Sequence, residues 1–351
     1  RMDRERFMDQ REQQKRPGTH QFGRVITTGV IGLWLPTLLS FLPYDLWPLT
    51  LWPLPLLVHF LPHVLWLGAG LAVLALLSKR PVNSAVAVGA CLVCLVQITA
   101  VGARPASIVS VTMQNVPTFR IAHANLLGRE VALRRFAEQV SDQRPHIIAL
   151  TELPYSDGAR LAKSTFEDYP YTRLSEANRA SRTLLLSKYP FAETRAPRRS
   201  HPYAAEALVN LPVTGTRSPQ IIRVITIHPD APLTPQRTRN RNRVINEIFT
   251  SIDVRAENAL PTLIIGDLNA TPWSNALRQM AHQSGLERLT SLNILEQMSG
   301  TWVSTVPGIG IPIDHAYATP NLSATRYQIS SATGSDHFPI LLEIAFYGGE
   351  R

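Results

Sequence analysis

Long apolar runs fill the first third of the chain, and short alternating ones the remainder. Between Arg24 and Arg104 only Asp45, Lys79 and Arg80 carry formal charge. Three apolar stretches stand out there: Val25 to Leu42, Leu56 to Leu77 and Val82 to Ala103. Each approaches the roughly 20 residues that a helix needs to cross a bilayer. The pattern therefore predicts a basic tail over 1–24 and a membrane domain with three transmembrane helices over 25–103. A secretory signal peptide would account for the first stretch alone, and no small-residue cleavage site separates it from the next two. Residues 104–117 are rich in Ser, Thr, Asn and Pro and read as a linker.

From Thr118 to about Phe346 the period shortens, and strand-like and helix-like segments alternate within a second domain over 118–351. Apolar or alternating runs predict strands at Phe119 to Leu127, His146 to Leu150, Arg182 to Lys188, Ala204 to Val213, Ile221 to Ile227, Leu263 to Asp267, Ile311 to Ala318 and Phe338 to Phe346. A spacing of three and four predicts helices at Arg129 to Gln143, Ser156 to Asp168 and Thr234 to Ile252. The fold class is thus α/β.

Charge gives the membrane domain an orientation. Arg1, Arg4, Arg6, Arg11, Lys15, Arg16 and Arg24 precede the first span, and Lys79 and Arg80 lie between the second and third. The intervening segment, Pro43 to Pro55, has neither Lys nor Arg. Positively charged flanks stay in the cytoplasm, which puts everything after the third span outside. Trp47 and Trp52 with Pro48, Pro53 and Pro55 suit an interfacial loop, since indoles favour the headgroup layer and prolines break helices. His59 and His63 lie one helical turn apart but lack a carboxylate or thiol companion, so packing is the simpler reading. Cys91 and Cys94 have a CxxC spacing, yet they fall inside an apolar span, a poor setting for redox or zinc chemistry. The formal charge of +9 follows in part from these flanks and is weak support for a polyanionic partner.

The polar residues of the second domain recur at strand boundaries. Asn125, Glu152, His228, Asp267, Asn269, Asp314, Asp336 and His337 each stand at or beside the end of a predicted strand. Layered sheets use that placement to gather distant residues into one cleft. Leu263-Ile264-Ile265-Gly266-Asp267-Leu268-Asn269 shows it best: an apolar run delivers a carboxylate and an amide two residues apart. The carboxylate can orient a water or touch a metal, and the amide can donate to a phosphate oxygen without adding negative charge. Taken singly, each could be a cap or turn residue.

The segments IAHANLLG (121–128), PHIIALTEL (145–153), LLLSKYP (184–190), TIHPDAP (226–232), IIGDLNATP (264–272), IDHAYAT (313–319) and GSDHFPILLEI (334–344) together resemble the ordered signature blocks of the endonuclease/exonuclease/phosphatase superfamily, the DNase I-like fold. With its three amino-terminal spans the chain is similar to membrane-bound bacterial members. The resemblance implies a four-layered α/β sandwich with the site at one rim. It implies Glu152 as the principal ligand of Mg²⁺ or Mn²⁺, with Asn125 and Asp336 on the metal side. Asp267 then orients or deprotonates the attacking water, Asn269 donates to phosphate, and His228 stabilises the phosphoryl group. His337 is the second histidine, oriented by Asp314. Many members carry Gly where this chain has Arg182, close to Arg179 and ahead of Arg195, Arg198, Arg199 and His201.

The expected activity is divalent-metal-dependent hydrolysis of phosphoester bonds at the inner membrane, with the catalytic domain periplasmic or extracellular. Nucleic acid is the first candidate substrate, and phospholipid or sphingolipid headgroups are the alternative; no protein partner is inferred. A catalytically silent interaction domain would have lost Glu152, Asp267 or His337, and all three are present.

Overall fold

The computed structural model describes residues 17–42, 51–101, 103–105, 118–155, 157–176, 182–192, 201–212, 219–256, 259–291, 293–306 and 309–346. They fall into two units that divide after Ala100.

The first unit holds α1 (Pro17–Leu39), a 3-10 helix (Leu54–Phe60) that runs into α2 (Leu61–Leu77), and α3 (Pro81–Thr99). Gln21–Leu39, Leu54–Leu77 and Pro81–Thr99 are long and apolar enough to cross a membrane. The first helix begins ahead of Val25 and stops short of Leu42, and the third stops short of Ala103. Ile26, Val30, Leu33, Ala72, Ala75, Ala87 and Ala90 form the seam between the helices. Small residues there let backbones approach, as is usual where lipid removes the hydrophobic drive for association. Asn83 Nδ2 donates to Thr27 Oγ1 at 2.8 Å, and Thr37 Oγ1 meets Cys94 Sγ at 3.2 Å. Cys91 and Cys94 are free thiols and serve as packing residues. His63 stacks edge-on against Phe60. Phe22, Val25, Ile31, Trp66, Leu77, Val82 and Leu92 point outward, an apolar surface costly in water and suited to hydrocarbon. The basic tail up to residue 16 and Pro43 to Thr50 lie outside the described residues.

The second unit stacks two six-stranded sheets. One has the order β1-β9-β10-β8-β7-β6 and is built from β1 (Ala103–Pro105), β6 (Ala204–Leu211), β7 (Gln220–Ile227), β8 (Thr262–Asp267), β9 (Glu287–Thr290) and β10 (Asp314–Ala318). The other has the order β11-β12-β2-β3-β5-β4, from β2 (Thr118–Asn125), β3 (Ile147–Thr151), β4 (Tyr171–Leu174), β5 (Thr183–Ser187), β11 (Leu322–Ile329) and β12 (Ile340–Phe346). Side chains alternate across a strand, so each sheet has two apolar faces to cover. The inner faces meet in one core that includes Ile121, Ile147, Ala149, Leu185, Val224, Leu263, Ile265, Ala316, Ile340 and Leu342. On the outer face of the β2 sheet, Ala122, Ile148, Leu150, Leu184 and Leu186 pack under α4 (Glu130–Ser141) and α5 (Gly158–Thr165) through Leu133, Phe136 and Ala162. The outer face of the other sheet meets α6 (Pro235–Thr250), where Phe249 lies against Tyr317 at 5.2 Å between ring centroids. Beside α6 lie α7 (Asn275–Ser284) and the short α8 (Ile294–Met298). The result is the expected four-layered α/β sandwich.

Several elements differ from the sequence reading. Helix α5 is shorter than Ser156 to Asp168 and is followed by β4, and α7, β9, α8 and β11 had no predicted counterpart. Arg104 and Pro105, the start of the expected linker, lie in β1, paired in parallel with β9; residues 106–117 lie outside the described residues. Strand β10 begins at Asp314, not Ile311.

The topology gathers chemistry at one rim. Strands β2 and β3 run parallel, and so do β7 and β8, so Asn125, Glu152, His228 and Asp267 emerge from the same edge. Strand β10 pairs antiparallel with β8, with Asp314 opposite Asp267. Strand β12 is antiparallel to β2, so the residues that precede it, Asp336 and His337, arrive at that edge too.

Candidate active site

All eight boundary residues named above converge at that rim. Asn125 closes β2 with its amide between two carboxylates, donating to Glu152 Oε1 and to Asp267 Oδ2, each at 3.0 Å. Its oxygen accepts from the Leu127 amide at 2.9 Å, which fixes the side-chain plane. Glu152 follows β3 with a positive φ of 47°. A non-glycine residue in that region is strained, and the turn swings its carboxylate across the rim. Its side chain is 24% exposed, so solvent reaches it.

Asp267 is buried. Its Oδ1 accepts from the Asn269 amide at 2.8 Å, while Oδ2 faces Asn125, His228 Nε2 at 3.5 Å and His337 Nε2 at 3.7 Å. Asn269 also has a positive φ, which Asn tolerates better than most residues. Its Nδ2 donates to the Pro229 carbonyl at 3.0 Å. One amide hydrogen is therefore spent on joining the β8 loop to the β7 loop, and the other makes no such contact among the described residues and could serve a ligand.

His228 stands between Glu152 Oε1 at 3.4 Å and Asp267 Oδ2 at 3.5 Å. Burial alone would lower its pKa, but hydrogen bonds and charge from Asp267 and Glu152 outweigh burial and raise it to about 10. The two carboxylates thus favour its charged form. The Glu152 carboxyl is shifted the other way: burial raises it, and the His228 and Asn125 contacts bring the net pKa below the usual range.

His337 and Asp314 form the closest acid–base pair, with Nδ1 at 2.8 Å from Oδ2. Asp314 is a fully buried carboxylate, and its second oxygen lies 3.0 Å from His123 Nε2. Burial opposes ionisation, but the charge of His337 and the His123 hydrogen bond hold Asp314 well below the carboxylate range. For His337 burial again lowers and Asp314 with Asp267 raises, leaving the pKa at about 9. Asp336 sits at the edge of the group. Its Oδ2 accepts from Trp302 Nε1 at 3.0 Å, and its Oδ1 is buried without a hydrogen-bond partner among the described residues.

Two overlapping sets of side chains are close enough to share an ion: Glu152, His228 and Asp267, and Asp267, Asp314 and His337. The second is better read as an acid–base relay, because both Asp314 oxygens are taken by imidazoles. The carboxylates of Glu152 and Asp336 are hard oxygen donors, one reached by solvent and one carrying an orphaned oxygen. The set Glu152, His228 and Asp267 offers two such carboxylates, which fits a cation such as Mg²⁺ that keeps several waters and needs only one or two.

Residues 118–337 match the profile described as Endonuclease/Exonuclease/phosphatase family. The chain belongs to that family. Among solved structures, an endonuclease/exonuclease/phosphatase from Beutenbergia cavernae superposes with a TM-score of 0.51 at 17% identity, covering 66% of this chain and 72% of that one. A family protein from Leptotrichia buccalis gives 0.49 at 14% identity, over 65% of this chain and 100% of that one. At 17% identity the first of these speaks for the fold alone. No curated protein sequence matches the chain significantly.

Sequence reasoning missed four residues that hold the site together. His123 braces Asp314 and also contacts the Ala149 carbonyl at 3.2 Å. Thr301 Oγ1 accepts the amides of Ile313 and Asp314, both at 3.1 Å. Trp302 holds Asp336. Buried Arg241 donates from Nη1 to the Asn269 carbonyl at 2.7 Å. Only His123 gave a signal, an ionisable residue in the middle of an apolar strand. Of the basic cluster, Arg179, Arg195, Arg198 and Arg199 lie outside the described residues, and His201 pairs with Glu247 at 3.0 Å.

Proposed function

We propose that the chain is a membrane-anchored, divalent-metal-dependent phosphoester hydrolase that acts outside the cytoplasm, with a nucleic-acid phosphodiester as its first candidate substrate. The observation that carries this reading is the convergence of Glu152, Asp267 and Asp336 with two imidazoles raised in pKa. Carboxylates serve a cation and a nucleophilic water, and imidazoliums serve a phosphoryl group that gains charge.

Glu152, oriented by the Asn125 amide and with Asp336 as a further carboxylate, would hold Mg²⁺ or Mn²⁺, which would supply positive charge that neutralises the phosphate oxygens. Asp267 Oδ2 orients the attacking water and takes its proton as the water oxygen bonds to phosphorus. The bond to the leaving oxygen breaks with its electron pair staying on that oxygen. His337, held through Nδ1 by Asp314, directs Nε2 into the rim and returns a proton to the leaving oxygen. His228 donates to a phosphoryl oxygen as charge builds, and the free N–H of Asn269 does the same. The excess of arginine in the chain suits a polyanion. The three apolar helices favour a second reading, hydrolysis of a phospholipid or sphingolipid headgroup.

The test uses the full chain in uncharged detergent with Mg²⁺ or Mn²⁺, assayed against plasmid DNA, RNA, sphingomyelin vesicles and a simple aryl phosphodiester. EDTA should abolish turnover and Mg²⁺ restore it. Glu152→Gln keeps the shape and removes the charge, and should cost on the order of 10²-fold or more in kcat. An unaltered rate would take Glu152 out of the metal site, and turnover of none of the substrates would sink the reading.

A further inference from the structure

A cavity of about 300 Å³ lies beside Glu152, lined by Leu153, Pro154, Tyr155, Asp157, Gly158, Ala159 and Arg182. Its position follows from the β3–β5 ladder. Those strands are antiparallel with Thr151 opposite Thr183, so Glu152 and Arg182 adjoin the last paired residues at the same end of the ladder. Neighbouring strands are about 4.8 Å apart, which puts the backbone that carries Arg182 beside the backbone that carries Glu152.

Arg182 Nε is buried and has no hydrogen-bond partner among the described residues. A buried donor left unpaired costs free energy, and guanidinium is always charged and shaped to grip phosphate or carboxylate. The acid in the lining, Asp157, is paired with Arg160. Tyr155 lines the same cavity, is 62% exposed and has its ring over Gly128, where a Cβ would collide with it. An open aromatic face next to a cation is the pairing that single-stranded nucleic acid uses, with bases stacked and phosphates neutralised. A cationic headgroup such as choline would be repelled.

We propose that Arg182 and this cavity form a second phosphate subsite, which takes the backbone phosphate next to the scissile one in single-stranded nucleic acid while Tyr155 stacks on the adjoining base. The inference rests on the preceding reading that the scissile phosphate sits by Glu152. It makes Arg182 a specificity residue for substrates with more than one phosphate.

The experiment measures binding, so that it stands apart from turnover. Fluorescence anisotropy of a labelled single-stranded octanucleotide is followed with the full chain in uncharged detergent and EDTA, over a range of salt. Arg182→Gln should weaken binding about tenfold, the scale of one lost charge-assisted hydrogen bond, and should flatten the slope of log K against log salt by about 0.7. Arg182→Lys should keep the slope and recover part of the affinity. Arg134→Gln, an exposed charge on α4, controls for general electrostatics and should change little. Equal effects of the Arg182 and Arg134 changes would overturn the subsite, as would an unchanged slope in Arg182→Gln. Arg182-dependent binding to vesicles of phosphorylated lipid, without binding of the octanucleotide, would overturn the nucleic-acid assignment. The aryl phosphodiester assay on the unmodified chain reports separately on the preceding reading, because a substrate with one phosphate does not use the subsite.

Discussion

Asp314 shows how one buried carboxylate is kept charged and what that charge is for. Each oxygen meets one imidazole, Thr301 fixes the backbone amide beneath it, and water is excluded. Removing its charge would leave His337 free to turn. Asp314→Asn should therefore cost activity on the order of 10²-fold, much as His337→Ala does. The double substitution should cost little more than either alone, because the two residues act as a unit. His228 is placed by β7 and acts on the phosphoryl group, so combining its loss with either change should multiply the defects. Additive losses for Asp314 and His337, in folded protein with a measurable residual rate, would dissolve the dyad. The members of this site that were legible in the sequence are polar residues that interrupt apolar runs, as Glu152 does after His146 to Leu150. Thr301, Trp302 and Arg241 were not, because their work is to hold other site residues through contacts that link distant parts of the chain.

At the level of elements the strand ends matter more than the strands. Helix α6 pins the Asn269 turn through Arg241, and Asn269 pins Pro229, so the loops that carry His228 and Asp267 are tied together. Gly266 makes the underlying strand pair possible. It lies opposite Ile227 in the parallel β7–β8 ladder, and a Cβ there would run into the Ile227 backbone carbonyl. Gly266→Ala should destabilise the second unit by about 1–3 kcal/mol, the usual cost of overpacking. It should also lower kcat by shifting Asp267 against His228, both readable from thermal melts and from the aryl phosphodiester rate. A variant with unchanged melting and rate would mean that the ladder has slack. The same strands explain where the sequence was readable. Strands β3, β5 and β8 are buried on both faces and give continuous apolar runs. Strand β4 is a largely exposed edge, and β11 has polar residues at Thr325, Arg326 and Gln328 among its partly exposed positions, so the alternation is diluted in both. Helix α7 carries its own stop signal, Gly285 with φ of 71°, but only ten residues of periodicity.

For the molecule as a whole, the compartment of the active site depends on the first unit. The seam of the three helices sets Ile26, Val30 and Leu33 against Ala72, Ala75, Ala87 and Ala90, with two polar contacts, whereas their outer faces carry Trp66, Leu77 and Val82, a surface suited to lipid. If the three apolar helices among the described residues all cross a bilayer, as proposed above, the segments before and after them lie on opposite sides. On that reading the basic residues up to Arg24 and the Lys79-Arg80 pair would share one side, after an even number of crossings, and the positive-inside tendency would make that side cytoplasmic. An alkaline phosphatase fused after Arg351 should thus be active in cells, and a cytoplasm-dependent fluorescent reporter at the same place should be dark. Replacing Lys79 and Arg80 with Gln removes the second of the two basic anchors and should yield a mixed population, because the tail alone then sets the orientation. A bright cytoplasmic reporter on the unmodified chain would reverse the topology and move the hydrolase inside, where the substrates it meets are the cell's own nucleic acids and the inner leaflet.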